Sequence, residues 1–185
     1  MTPIQDCIKN KNTGLNPIWI MRQAGRYLPE FRKIRAQNTD FIKLCLNESL
    51  STEITLQPIK RFDFDAAIIF SDILMLPFGL GQEVKFEKGL GPKLGELNLD
   101  LIQNVSKDEF TKKLNPIYKS ISNISANHIC KNKDIIGFVG APWTILVYMI
   151  NKMSPKKNLS KEIFNDKLFI SKLLSIIEKF LKIHI

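Results

Sequence analysis

Three short stretches of this 185-residue chain are apolar without alternation and end abruptly. Pro17-Ile18-Trp19-Ile20-Met21 runs into Arg22, and Asp65-Ala66-Ala67-Ile68-Ile69-Phe70 runs into Ser71-Asp72. Ile135-Ile136-Gly137-Phe138-Val139 runs into Gly140-Ala141-Pro142-Trp143. A strand with one face in water alternates, whereas a strand covered on both faces does not, so each stretch reads as a buried strand of a parallel sheet. Between them the apolar period becomes that of a helix. Residues 48–61 put Leu50, Ile54 and Ile59 on one stripe, with Pro58 expected to kink the helix or end it early. Ser106-Lys107-Asp108-Glu109 is a capping box that opens a helix carrying Phe110, Leu114, Ile117, Ile121 and Ile124 on one side, with Pro116 inside it. Pro142 suits the first turn of a further helix. Leu159 to Ile183 reads as a long amphipathic helix through Ile163, Phe164, Leu168, Leu173, Ile176, Ile177 and Phe180. Gln82 to Gly91 has the pattern of a hairpin excursion.

Strand–helix alternation of this kind predicts an α/β fold, and the polar residues follow strand ends, where a β/α barrel keeps its active site. A complete barrel takes about 250 residues. This sequence shows three clear strands and stops at Ile185 inside a helical pattern with no glycine cap. The expectation is a partial (β/α)8 TIM-like barrel, roughly the first half, with residues 1–185 forming a single domain and the C-terminal remainder missing. No repeat, low-complexity tract or linker interrupts it.

The charge distribution narrows the chemistry. The chain holds 22 lysines and five arginines, and four of the arginines (Arg22, Arg26, Arg32 and Arg35) fall in one short segment. Where lysine is the default cation, clustered arginine indicates planar, permanently charged forks that bind carboxylates in a bidentate way. The net charge of +9 raises nucleic acid as a partner. However, the excess is scattered lysine: residues 152–185 hold eight lysines against three acids, interleaved with aliphatic residues at helical spacing. No stacking aromatics accompany them, so the expectation is no nucleic-acid partner. No apolar run approaches the ~20 residues of a membrane span, and no secretory signal opens the chain. Cys7, Cys45 and Cys130 are odd in number and widely spaced, which fits reduced thiols in a cytoplasmic setting and no zinc site.

Arg22 and Arg26 flank Gly25. On a helix their spacing would put both on one face; on a loop Gly25 would allow a sharp turn and close approach to a ligand. Arg32 reads as solvated and Arg35 as intermediate. Asp72 admits two readings that the pattern leaves equal, a carboxylate in a cleft or a cap for Ile73-Leu74-Met75. From pattern alone Tyr148 is a core aromatic with its hydroxyl at the surface, and His128 and His184 are surface residues. Gly79-Leu80-Gly81 and Gly89-Leu90-Gly91 are too isolated to be phosphate loops.

Three segments together resemble the uroporphyrinogen decarboxylase family: Pro17 to Glu30 (with Met21-Arg22-Gln23-Ala24-Gly25-Arg26-Tyr27-Leu28-Pro29-Glu30), Thr55 to Leu74, and Gly137 to Thr144. The resemblance runs from about Pro17 to Met149. It implies a distorted β/α barrel that forms a homodimer and removes carbon dioxide from the four acetate side chains of uroporphyrinogen III. The implied chemistry has no metal and no organic cofactor. It implies that Asp72 accepts the pyrrole N–H groups and stabilises a cationic intermediate, and that Arg22 and Arg26 hold carboxylates. Arg22 is also a candidate proton donor, a demanding role for so strong a base. Gln23, Ala24 and Gly25 would supply loop backbone, and Arg35 and Tyr148 would touch the substrate. After Met149 the family pattern is acidic and contains glycine, whereas this chain reads Ile150-Asn151-Lys152-Met153-Ser154-Pro155-Lys156-Lys157. The family's later serine and histidine contacts lie downstream of this sequence, and His184 is not in their motif. Two alternatives stand beside this reading: a corrinoid-handling methyltransferase of the same barrel superfamily, and a fragment that is inactive alone.

Overall fold

The computed structural model describes residues 2–9, 14, 16–87, 89–154 and 165–185. In chain order the elements are α1 (Pro3–Ile8), α2 (Pro29–Gln37), α3 (Phe41–Cys45), α4 (Glu48–Phe62), β1 (Ala66–Ile68), α5 (Met75–Gly79), β2 (Val84–Glu87), β3 (Gly91–Leu94), α6 (Leu99–Gln103), α7 (Lys107–Ala126), β4 (Asp134–Ile136), α8 (Pro142–Asn151) and α9 (Lys167–His184). The class is α/β. Contacts gather these elements into two units, one of Met1–Thr39, Lys43–Ser71 and Pro116–Phe138, the other of Asp40–Ile42, Asp72–Asn115 and Val139–Ile185.

The first unit is built on a parallel pair. β1 and β4 run in register Ala66↔Asp134, Ala67↔Ile135 and Ile68↔Ile136, the parallel pairing that the second and third apolar runs predict. The third run is not buried on both faces as expected, since Ile135 and Ile136 are only partly buried and Phe138 and Val139 are exposed. The first run does not become a strand. It meets the sheet only at Ile18, whose N–H donates to Asp65 Oδ2 (2.6 Å) and whose carbonyl accepts the Asp65 N–H (2.9 Å). Beyond that point the side chain of Gln23 occupies the edge of β1: Nε2 donates to the Ala66 carbonyl (2.7 Å) and Oε1 accepts the Ile68 N–H (3.0 Å). A side-chain amide thus fills the positions that a third strand's backbone would take. Ile18, Trp19, Ile20 and Met21, expected to be buried on both faces, are exposed.

α4 lies over this pair. Asn47 caps it by accepting the Leu50 N–H, and Ile54 and Ile59 are buried as the stripe predicts. The helix does not end early at Pro58; it continues to Phe62 and stops at Asp63 in the left-handed region (φ 52°), whose N–H still reaches Ile59 O. Pro58 is itself buried, so packing offsets the hydrogen bond its ring removes. Leu56, Ile59, Phe64, Ala67, Ile69, Ile124 and Cys130 form one apolar cluster, and Leu28, Phe31, Ile34, Leu44 and Ile54 another. Each fully buried large side chain contributes about 1.5–3 kcal/mol.

The second unit contains the predicted hairpin, β2 against β3 with Val84↔Leu94 and Glu87↔Gly91 at its ends. Gly89 and Gly91 take positive φ values of 83° and 92°, which glycine alone adopts without strain. The capping box of α7 forms as read: Ser106 N–H donates to Glu109 Oε2 (2.9 Å) and Glu109 N–H to Ser106 Oγ (3.1 Å). α8 starts at Pro142 and buries Ile145, Leu146, Val147, Met149 and Ile150. α9 buries Leu173, Ile177, Phe180 and Leu181, with Phe180 against Phe110 (ring centroids 4.8 Å apart). The predicted start of that helix, with Ile163 and Phe164, lies outside the described residues; Leu168, expected on its apolar side, is exposed. His184 is partly buried edge-on to Phe110 (6.1 Å), not at the surface, because α9 turns its last residues onto α7. Burial lowers its pKa. His128 is exposed as expected. Cys7, Cys45 and Cys130 form no disulfide among the described residues. Among the described residues no helix is long and apolar enough to cross a membrane.

Candidate active site

Arg22 and Arg26 lie on a loop, not a helix, because α2 begins only at Pro29; Arg32 and Arg35 lie on α2 itself. The loop's anchor is Gln23, 2% exposed, with both ends of its amide on β1. The loop closes through the Leu28 N–H on the Gly25 carbonyl (3.0 Å), and the Tyr27 hydroxyl donates to the Gln23 carbonyl. Tyr27 stacks on Phe62 of α4 (6.3 Å, 30° between planes), and burial, followed by the nearby Glu30 carboxylate, raises its pKa. Arg22 and Arg26 are exposed, and among the described residues neither guanidinium makes a hydrogen bond or ion pair. The other three arginines are occupied. Arg61 forks onto Glu30, with Nε–Oε1 and Nη2–Oε2 both 3.0 Å. The Glu30 carboxyl is held below its usual pKa first by its own backbone N–H near the start of α2, then by that fork. Arg35 donates to the Asn38 carbonyl at the end of α2. Arg32, read from sequence as solvated, donates through Nη1 to the carbonyls of Arg26 (2.8 Å) and Tyr27 (3.3 Å).

Gln23 therefore does not offer its side chain to a ligand; its backbone and those of Ala24 and Gly25 form the loop. Gly25 has an ordinary φ, and a Cβ there would meet only the Tyr27 ring at 3.6 Å, an ordinary contact. The fold does not need glycine at this position, contrary to the reading that it permits a sharp turn.

Asp72 and Tyr148 belong to the second unit. Asp72 is half-buried; Oδ1 accepts the Leu74 N–H (2.8 Å) and its carbonyl accepts the Met75 N–H (3.1 Å) where α5 begins. The carboxyl thus steadies the turn that leads into α5, close to the capping reading although the N-cap position itself is Leu74, and it is partly shielded from water. Burial pushes its pKa above the usual carboxylate range, and the Leu74 N–H opposes this. No cation lies among the causes of that shift. The next residue, Ile73, packs against Gly140: a Cβ there would lie 3.1 Å from Ile73 Cβ and 2.8 Å from Ile145 Cγ1. Tyr148 is half-buried on α8, and its hydroxyl has no hydrogen bond among the described residues. Past Met149, Lys152 turns left-handed (φ 57°) and its carbonyl takes the Leu94 N–H (2.7 Å), tying this segment to β3. Pro155, Lys156 and Lys157 lie outside the described residues.

The site residues that sequence reasoning missed are Arg32 and Glu30. Their signal was local, since each lies within one or two helical turns of the loop it steadies.

A family profile described as uroporphyrinogen decarboxylase (URO-D) matches residues 1–185. The chain is 49% identical to a uroporphyrinogen decarboxylase of Jannaschia sp. (strain CCS1), covering 72% of this chain and 39% of that protein. It is 40% identical to one of Campylobacter jejuni subsp. jejuni serotype O:2, covering 98% of this chain and 54% of the relative. It is 49% identical to one of Cereibacter sphaeroides, covering 72% and 39%. The chain thus spans about half or less of the length of these curated relatives. With the match extending over the arginine loop, β1, the Asp72 turn and α8, the chain belongs to the uroporphyrinogen decarboxylase family.

Proposed function

We propose that this chain carries the N-terminal half of the active site of a uroporphyrinogen III decarboxylase acting in porphyrin and heme biosynthesis. The observation that carries the reading is the pair of exposed forks of Arg22 and Arg26, unpaired among the described residues, on a loop whose anchor is buried. A substrate with eight carboxylates suits such forks, and a pre-ordered loop lowers the entropy cost of gripping it. Protonating a pyrrole carbon makes that ring an electron sink. The bond from the acetate carbon to its carboxylate then breaks, carbon dioxide leaves, and the electron pair enters the ring. A second proton added at the former acetate carbon gives a methyl group, and loss of the ring proton restores the pyrrole, a net uptake of one proton per carbon dioxide. Ionised Asp72 would accept pyrrole N–H groups and stabilise the cation between these steps. Arg22 binds and orients, and Arg26, Arg35 and Tyr148 complete the contacts from this half. The chemistry calls for no metal and no organic cofactor.

In this reading residues 1–185 are one domain, roughly the first half of a (β/α)8 barrel. The whole protein is a cytoplasmic homodimer whose partner is a tetrapyrrole, not nucleic acid or a membrane. The test is anaerobic incubation of the protein as its gene encodes it with uroporphyrinogen III, with products oxidised and separated by carboxyl number. Coproporphyrin should accumulate, Asp72→Ala should abolish it, and Arg22→Lys should lower kcat/KM about tenfold or more although charge is kept. Full activity in Asp72→Ala would overturn the reading.

A further inference from the structure

We propose that Arg32 is a positioning residue of the arginine loop, holding the carbonyls of Arg26 and Tyr27 so that the forks of Arg22 and Arg26 present one fixed geometry to a polycarboxylate. The inference rests on the substrate-grip reading of Arg22 and Arg26. One nitrogen, Nη1, reaches both carbonyls, at 2.8 Å and 3.3 Å. Arg32 lies in the first turns of α2, a regular helix, so its cationic end is carried by a fixed backbone and turned back over the loop that precedes it. The loop is then held at four points: Gln23 on β1, the Leu28 N–H on Gly25, the Tyr27 hydroxyl on the Gln23 carbonyl, and Arg32 on the last two carbonyls before Leu28. Such bonds oppose outward rotation of the two carbonyls, and the Arg26 side chain leaves from one of these same residues. A displacement of about 1 Å in a gripping group is enough to cost on the order of a hundredfold in rate.

The geometry separates Arg32 from its neighbours by a substitution that usually distinguishes nothing. A bidentate grip on a carboxylate needs the guanidinium plane, which lysine lacks. A single nitrogen donating to two carbonyls does not, because an ammonium has three donors. Arg32→Lys should therefore keep the function and Arg32→Met should lose it, whereas Arg26→Lys should lose it.

The experiment has two arms on the same variants. In the first, kcat and KM for anaerobic uroporphyrinogen III are measured on the protein as its gene encodes it. Arg32→Met should raise KM about tenfold, and Arg32→Lys should stay within about twofold of the unsubstituted protein. In the second, amide hydrogen exchange is read at Leu28, whose N–H closes the loop. Arg32→Met should speed it at least fivefold and Arg32→Lys should leave it unchanged, with the Glu109 amide of the α7 capping box constant in all variants. Equal loss in Arg32→Lys and Arg32→Met would make Arg32 a direct ligand contact and overturn the proposal. Unchanged KM and unchanged Leu28 exchange in Arg32→Met would make it a bystander and overturn it too. If the unsubstituted protein does not turn over uroporphyrinogen, the decarboxylase reading fails while the exchange arm still decides the role of Arg32 in the loop.

Discussion

At Gly25 the space beside Cα is open enough for a methyl group, and the backbone is in an ordinary conformation. Gly25→Ala should therefore leave the melting temperature within about 1 °C by calorimetry, because alanine meets no clash and reduces the freedom of the unfolded chain. If the loop backbone approaches the substrate, the same change should raise KM several-fold; a loss of stability with no change in KM would assign Gly25 to folding instead. Asp72 gives a pH test with a definite sign. Burial raises its folded pKa above the unfolded value, so the folded state binds this proton more tightly. The stability linked to this group is complete below the unfolded pKa and is lost as pH rises through the folded one. In the role proposed for Asp72 the ionised form is the active one, so turnover should run the opposite way, falling as pH drops through its raised folded pKa. Asp72→Asn keeps an acceptor for the Leu74 N–H and removes the charge. Urea unfolding should then show equal or greater stability at neutral pH, while turnover disappears. The Asp72 turn was visible in the sequence only as two equal readings, because a motif does not report how much water reaches a carboxyl.

At the scale of elements, the end of β1 is held by side chains of a helix. The Thr55 Oγ1 of α4 accepts the Phe70 N–H (2.9 Å) and donates to the Ser51 carbonyl (2.9 Å), while the Ser51 Oγ donates to the Phe70 carbonyl (2.9 Å). Both hydroxyls are buried, and Ser120 Oγ lies 3.2 Å behind that of Ser51. Thr55→Val preserves shape but removes the hydroxyl that accepts the part-buried Phe70 N–H, so urea unfolding should show a loss of about 1–3 kcal/mol. Thr55→Ser should restore most of it. The helices with strong caps and stripes were legible: α7 from its Ser106–Glu109 box, α4 from its apolar period, α8 from Pro142. The first apolar run misled, because its composition is that of a buried strand. Composition does not show that Gln23, a few residues further on, takes the edge of β1 with its side chain. Pro58 misled in the other direction, since a buried proline inside a well-packed helix is tolerated at the cost of one hydrogen bond.

For the whole molecule, the governing fact is that 185 residues span about half or less of their relatives' length. Ile18, Trp19, Ile20 and Met21 of the first unit and Trp143 of the second are exposed at levels unusual for large apolar side chains. As an isolated 185-residue polypeptide the chain should bind an apolar dye such as anilinonaphthalene sulfonate in its folded state and self-associate at micromolar concentration. Sedimentation and dye fluorescence would check this, and a dye-silent monomer would contradict it. The arginine loop stood out in the sequence because arginine is scarce there and clustered. The central claim is that the arginine loop and Asp72 direct loss of acetate carboxyls from a tetrapyrrole. The most direct measurement uses two samples of uroporphyrinogen III, one labelled only in the acetate carboxyls and one only in the propionate carboxyls, each given anaerobically to the protein as its gene encodes it. The account predicts four labelled carbon dioxide molecules per tetrapyrrole from the first sample and none from the second. Release from the propionates, or no release from either, would contradict it.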